Sequence, residues 1–188
     1  DGSAGMEDGT EMLDSLRPLN MYGYSKHLFD QYAARNGMFE HIVGLKYFNV
    51  FGPRQSHLSE YAAVIPRFIE ALLGGRQPIV YGDGGQSRDF TFVRDVVNAN
   101  LLAAQIPGIA GAIFNVACGR RYTLLDLLEN LKAIMDIQVE PCFEKPRAGD
   151  IRHSMADIGR AKERMGFEPA WSFRKGLEVT VDWYRKQL

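Results

Sequence analysis

Cysteine is nearly absent from this chain: Cys118 and Cys142 are the only two in 188 residues, and they lie far apart. That excludes a disulfide framework and any Cys-based metal knuckle, and predicts two small buried side chains. Net charge is nearly absent as well, at −1, with no polybasic run. The basic footprint of a nucleic-acid binder or of a segment docked on anionic lipid is missing. No apolar stretch approaches the roughly 20 residues that a membrane-crossing helix needs. The four histidines, His27, His41, His57 and His153, show no ligand spacing and read as surface or loop residues, with no metal expected. No Gly-x-Gly-x-x-Gly lies between a strand and a helix, so no phosphate-cradling loop is visible. What remains is a chain 46% hydrophobic and 24% charged, an ordinary globular composition that fits a cytoplasmic protein.

The opening ten residues read as loop, with neither an initiator Met nor apolar periodicity, which predicts a piece of a longer chain. Asn20 is placed to cap a helix from Tyr22 to about Arg35, stopped by Asn36-Gly37. Ile42 to Val50 is almost continuously apolar and predicts a strand buried on both faces of a parallel sheet. A helix over about 62–73 follows from the spacing of Val64, Ile65, Phe68, Ile69 and Leu72. Pro78–Tyr81 and Arg88–Val93 read as short strands around a hairpin-like turn at 82–86. Helices are expected from Asp95 to about Gln105, from Leu124 with Thr123 as cap, from Asp157 to about Met165, and over Phe173–Gln187. Strands are expected over Ala112–Ala117 and Val139–Phe143, and Trp171 and Trp183 read as packing anchors. Strands alternating with helices give the fold class α/β.

Tyr22 and Lys26 are one helical turn apart and share a face. An ammonium there can lower a phenol's pKa from about 10 and fit it for acid–base work. The pattern Tyr-x-x-x-Lys is loose, and a packed tyrosine with a solvated lysine satisfies it equally.

Six motifs in order narrow the choice: Tyr22-Gly-Tyr-Ser-Lys26, Tyr47-Phe-Asn-Val-Phe-Gly-Pro53, Ala63-Val-Ile-Pro66, Gly82-Asp-Gly-Gly-Gln-Ser-Arg88-Asp-Phe, Phe114-Asn-Val and Arg147-Ala-Gly-Asp150. Together they resemble the extended short-chain dehydrogenase/reductases, and among them the nucleotide-sugar epimerases and dehydratases. The resemblance implies the C-terminal part of an extended Rossmann-type fold plus its α/β substrate domain. Residues 1–55 would end the NAD-binding domain, and residues 56–188 would form mainly the substrate domain, with some segments returning to the Rossmann sheet. It implies NAD, with NADP possible, and a homodimer formed through the Tyr22 helix. The dinucleotide-binding glycines and a catalytic Ser/Thr of such enzymes lie upstream of where this chain starts.

By the same resemblance Tyr22 and Lys26 are the catalytic pair. Tyr22, as phenolate, would take the proton of a sugar hydroxyl while hydride passes to the nicotinamide, and hydride would return to the other face of the 4-keto sugar. Lys26 would also hold the nicotinamide ribose, and Phe48, Asn49 and Val50 would border the cofactor. Arg88 and Arg147 would take the diphosphate, Asn49 the phosphates or sugar, Asp150 a ribose hydroxyl, and Val64 and Tyr81 the uracil. Read without the resemblance, Arg88 and Arg147 could as well pair with Asp89 or Asp150, and Asn49 could stabilise a turn. Leu16 to Asp30 looks closest to ADP-glyceromanno-heptose 6-epimerases, and the chain from Tyr61 onward to UDP-glucose and UDP-N-acetylglucosamine 4-epimerases. The heptose enzymes carry a second catalytic lysine where this chain has Leu58, beside His57, which favours the UDP-hexose enzymes. The alternative of another class is a catalytically inactive binding or structural remnant, since a chain lacking the cofactor half is not expected to turn over alone.

Overall fold

The computed structural model describes residues 17–18, 21–56, 63–147 and 149–187. The expected caps at Asn20 and the candidates His57 and Leu58 lie outside the described residues. The chain is α/β, and its strands pair in parallel across long crossovers. Helix α1 (Met21–Arg35) leads through a 3₁₀ turn (Met38–Glu40) into β1 (Gly44–Tyr47) and β2 (Val50–Phe51). Helix α2 (Val64–Leu73), β3 (Ile79–Tyr81), β4 (Ser87–Arg88), β5 (Thr91–Phe92) and α3 (Val93–Gln105) follow. Then come β6 (Ile113–Val116), β7 (Tyr122–Thr123), α4 (Leu124–Met135), β8 (Cys142–Glu144), α5 (Gly159–Met165) and α6 (Phe173–Tyr184). β1 runs parallel to β6, β2 to β5 and β3 to β8, whereas β4 and β7 are antiparallel.

Local chemistry accounts for several boundaries. α4 starts on a capping box: Thr123 Oγ1 accepts the Asp126 N–H at 3.0 Å, and an Asp126 carboxylate oxygen accepts the Thr123 N–H at 2.8 Å. Ser172 caps α6 through the Lys175 N–H. Asp157 accepts the Gly159 N–H at 2.7 Å ahead of α5. The main core lies where α2, α4 and α6 meet: Phe51, Ile65, Phe68, Leu127, Leu131, Leu177 and Val181 are all buried there, with Trp171 and Trp183 packed against them. α6 comes so close that a Cβ on Gly176 would lie 2.8 Å from the Phe51 ring. A second core forms between α3, α5 and β6 around Phe114, Val116, Met165 and Phe167.

Tertiary contacts overrule the sequence expectations in six places. The apolar stretch 42–50 is not one doubly buried strand. β1 is half-buried, Tyr47 is exposed, and the strand breaks at Asn49, whose φ of 37° is left-handed. The break lets β2 leave β6 for β5. The turn at 82–86 joins no hairpin, since β3 takes β8 as neighbour and β4 takes β7. The stretch 88–93 splits into β4 and β5 around Asp89, whose carboxylate turns inward to the Cys118 and Gly119 N–H groups. Asp95 does not begin α3. It sits in the first turn, buried, and accepts N–H bonds from Ala170 and Trp171. His27 is buried in α1 instead of lying on the surface. Cys142 is exposed, because β8 is an edge strand with its three residues open to solvent.

Candidate functional site

A cleft of ≈ 630 Å³ opens where β2, α2, β3, β4 and residues Arg147, Gly149 and Asp150 converge. Seven residues singled out from the sequence border it: Asn49, Val50, Val64, Tyr81, Arg88, Arg147 and Asp150. Val64 stands in the first turn of α2, where the free N–H groups of a helix face an incoming ligand. Arg88 projects from β4; its Nη2 donates to Asp150 Oδ1 at 2.5 Å and its Nη1 to the Ser87 carbonyl at 2.9 Å. The Arg147 guanidinium lies over the Tyr81 ring, 3.9 Å from its centroid. The Asn49 amide donates to the Asp89 carbonyl at 3.1 Å. So the arginine–carboxylate pairing and the turn-stabilising amide, both open alternatives in the sequence, are present among the cleft residues.

Beyond the cleft residues Arg147, Gly149 and Asp150, residues 151–154 are tied to the 82–88 segment. Arg152 clasps both Asp83 oxygens at 2.7 and 2.8 Å. That hydrogen bonding holds the Asp83 carboxyl well below the usual carboxylate range. Ser87 accepts the Ser154 N–H and donates its own to the Arg152 carbonyl, and Ser87 Oγ is 2.8 Å from His153 Nδ1.

Tyr22 and Lys26 stand elsewhere. Both are exposed on α1, Tyr22 to 74%, and neither borders the cleft. Lys26 Nζ sits over the Tyr22 ring, 5.2 Å from its centroid, so the ammonium faces the π surface. Phe48 is half-buried against Ala117, Ala156 and Ile158, and its N–H bonds the Val116 carbonyl at 3.2 Å. α1 is anchored to β1 by the Asp30–Lys46 ion pair at 3.1 Å. Tyr22 hydroxyl and Lys26 ammonium form an accessible donor set of the kind that suits ribose hydroxyls. Among the described residues there is no group of side chains that could hold a metal ion, and no helix long and apolar enough to cross a membrane.

The cleft also has a lining that the motifs did not single out. Gln86, Phe90, Arg67 and Leu124 also border it. Gln86 is buried and donates to the Tyr81 carbonyl at 2.7 Å. Gln86 belongs to the Gly82–Phe90 motif, which is its sequence signal; Leu124 has no local signal, since only the docking of α4 brings it there. A second cavity of ≈ 870 Å³ is bordered by Cys118, Gly119, Ala156, Trp171 and Phe173 among others, and by none of the candidate catalytic, cofactor or substrate residues.

A family model described as the NAD dependent epimerase/dehydratase family matches residues 2–117. The chain belongs to that family. It is 39% identical over 153 residues to the ADP-L-glycero-D-manno-heptose-6-epimerase of Nitratidesulfovibrio vulgaris, a match over 77% of this chain and 46% of that protein. It is 39% identical over 139 residues to the UDP-glucose 4-epimerase of Mycolicibacterium smegmatis, over 74% of this chain and 44% of that one. Among solved structures, the UDP-N-acetylglucosamine 4-epimerase of Methanobrevibacter ruminantium in complex with UDP-N-acetylmuramic acid superposes with a TM-score of 0.83 at 36% identity, over 92% of this chain and 56% of that one. The chain thus spans about half the length of the relatives it matches.

Proposed function

We propose that this chain carries the nucleotide-sugar site of an NAD-dependent UDP-hexose 4-epimerase, together with its acid–base pair. One observation carries the reading: Asn49, Val64, Tyr81, Arg88, Arg147 and Asp150, drawn from separate stretches of the chain, border a single cleft. In this reading Arg88 and Arg147 take the diphosphate, because guanidinium forks match phosphate oxygens bidentately. Arg88 exchanges its Asp150 partner for phosphate, which frees Asp150 for a ribose hydroxyl. Arg147 lifts from Tyr81, and the uracil takes the place between Tyr81 and Val64. Asn49 reaches the phosphates or the sugar. Residues 1–55 serve the cofactor side and residues 56–188 mainly the substrate side, with β6 returning to lie beside β1.

The Tyr22 and Lys26 donor set fits the ribose end of NAD or NADP, with Phe48, Asn49 and Val50 beside it. When bound, the nicotinamide supplies the acceptor and donor of hydride at the sugar carbon. The chain's own contribution is proton handling: the Tyr22 oxygen takes and returns the sugar hydroxyl proton, with the Lys26 ammonium beside the Tyr22 ring. Met21, Tyr24, Phe29 and Tyr32 are exposed along α1, an apolar face that supports a homodimer through this helix.

The match to a heptose epimerase, at the same 39% identity as that to a UDP-glucose 4-epimerase, supports ADP-heptose as the second reading. Leu58, where those enzymes need a lysine, opposes it. Calorimetric titration of the chain with UDP, ADP and NAD separates the readings. The UDP-hexose reading expects saturable UDP binding and much weaker ADP binding. Tighter ADP than UDP would transfer the assignment to the heptose enzymes, and binding of neither nucleotide nor NAD would leave a non-catalytic remnant. Where the chain turns over UDP-glucose with NAD supplied, Tyr22→Phe should keep UDP affinity and lose about 10²–10⁴-fold in rate.

A further inference from the structure

Asp89 lies between β4 and β5, next to Arg88, and is fully buried. Every described hydrogen bond to its side chain comes from a backbone N–H. One carboxylate oxygen accepts from Cys118 at 2.9 Å, and the other accepts from Gly119 at 2.9 Å and more weakly from Ala156 at 3.4 Å. A buried carboxylate held only by amides is costly unless its lone pairs are used. Here they tie together three segments that are remote in sequence.

The main chain of the same residue faces the other way. Its carbonyl accepts from Asn49 Nδ2 at 3.1 Å, and Asn49 returns the contact when its carbonyl accepts the Thr91 N–H at 3.3 Å. These two bonds fix Asn49 in a left-handed conformation, which asparagine tolerates better than most side chains. Asn49 borders the nucleotide cleft; Asp89, Cys118, Gly119 and Ala156 do not. Cys118, Gly119 and Ala156 border the second cavity instead. Asp89 is therefore a rivet through the wall between the two cavities, with its carboxylate on one side and Asn49 on the other.

We propose that Asp89 is a positioning residue of the nucleotide cleft, touching no ligand and acting by setting the backbone and amide of Asn49. The proposal rests on the reading of that cleft as the UDP site. An asparagine at the same position has nearly the same shape, but its NH₂ group would meet an N–H donor where the carboxylate offers an acceptor. The Asp89 segment would then shift, and Asn49 with it.

The test is a double-mutant cycle read by UDP titration of the chain. Asp89→Asn should weaken UDP binding roughly five- to tenfold, the loss expected when one ligand hydrogen bond is misdirected. In an Asn49→Ala background the same substitution should change UDP affinity by less than about twofold. Equal losses in both backgrounds would mean general loosening and overturn the proposal, as would undiminished affinity in the Asp89→Asn chain. If Asp89→Asn does not fold, the unsubstituted chain still decides: the amide signals of Cys118 and Gly119, outside the cleft, should shift in NMR spectra on saturation with UDP. Unmoved signals would overturn the rivet while leaving the UDP site standing. Failure of the unsubstituted chain to bind UDP at all would instead remove the nucleotide reading, and this proposal with it.

Discussion

Helices α6 and α1 both carry aromatic and aliphatic side chains, yet they use them in opposite ways. α6 turns Phe173, Leu177, Val181 and Tyr184 inward, and the Tyr184 hydroxyl donates to the Gln55 carbonyl beneath β2. α1 buries only His27 and Ala33 and leaves Met21, Tyr22, Tyr24, Leu28, Phe29 and Tyr32 exposed. The difference separates two kinds of functional surface. The backbone that borders the cleft rests on a core that packs against itself. The face of α1 that holds Tyr22 and Lys26 has no such support behind its side chains, and its chemistry depends on what is laid against it.

Removing the core beneath the cleft is the strongest way to break that contrast. Phe51 contacts the rings of Phe90, Phe92 and Phe173 and is 2% exposed. Phe51→Ala should lower unfolding free energy in urea by about 3–5 kcal/mol. A loss under about 1 kcal/mol would mean that the cleft does not depend on this core. Arg88→Ala comes next. UDP affinity should fall by about 2–3 kcal/mol, a charge-assisted bidentate contact. The melting temperature should move little, because the Arg88–Asp150 pair is partly exposed. A large fall in stability with unchanged affinity would turn Arg88 into a structural residue.

Asp95 sharpens the comparison through pH. Burial pushes its carboxyl above the ordinary aspartate value, against the pull of the Ala170 and Trp171 N–H groups. A raised carboxyl binds its proton more readily in the folded state. Its contribution to stability is present below the unfolded pKa, about 4, and is lost as pH rises through the folded value. Asp95→Asn should therefore flatten the decline in stability above about pH 4, measured as urea midpoints across the pH series. An unchanged slope would show that Asp95 is not charged against its surroundings. The smallest effect belongs to α1. Phe29→Ser and Tyr32→Ser, both at exposed positions, should change unfolding free energy by less than about 0.5 kcal/mol at low protein concentration. Sedimentation at high concentration should show weaker self-association. A cost of about 2 kcal/mol in the dilute chain would mean that the face is already packed within one copy.

Much of this was legible along the chain. The helices α2, α4 and α6 follow from apolar spacing and, for α4, from the cap at Thr123, because capping and periodicity act within one or two turns. The cleft residues were legible as motifs but not as a place. Arg88 and Asp150, 2.5 Å apart, are separated by four strands and two helices in sequence, and nothing local brings them together. The same holds for Arg147 over Tyr81. Burial of His27 and exposure of Cys142 were misjudged for one reason: residue type gives a preference for the interior, and only the packed neighbours decide it.

By itself the sequence determined the element types, the family and the residues worth watching, since each depends on chemistry that neighbouring side chains display. Only the tertiary structure decided how strands pair, where the apolar stretch breaks at Asn49, and which carboxylates are buried. Those outcomes depend on groups far apart in the chain meeting at hydrogen-bonding distance. Tyr22 and Lys26 show both sides of the division. Their spacing placed them in contact on one helix, and the fold set that contact on an open face, away from the cleft.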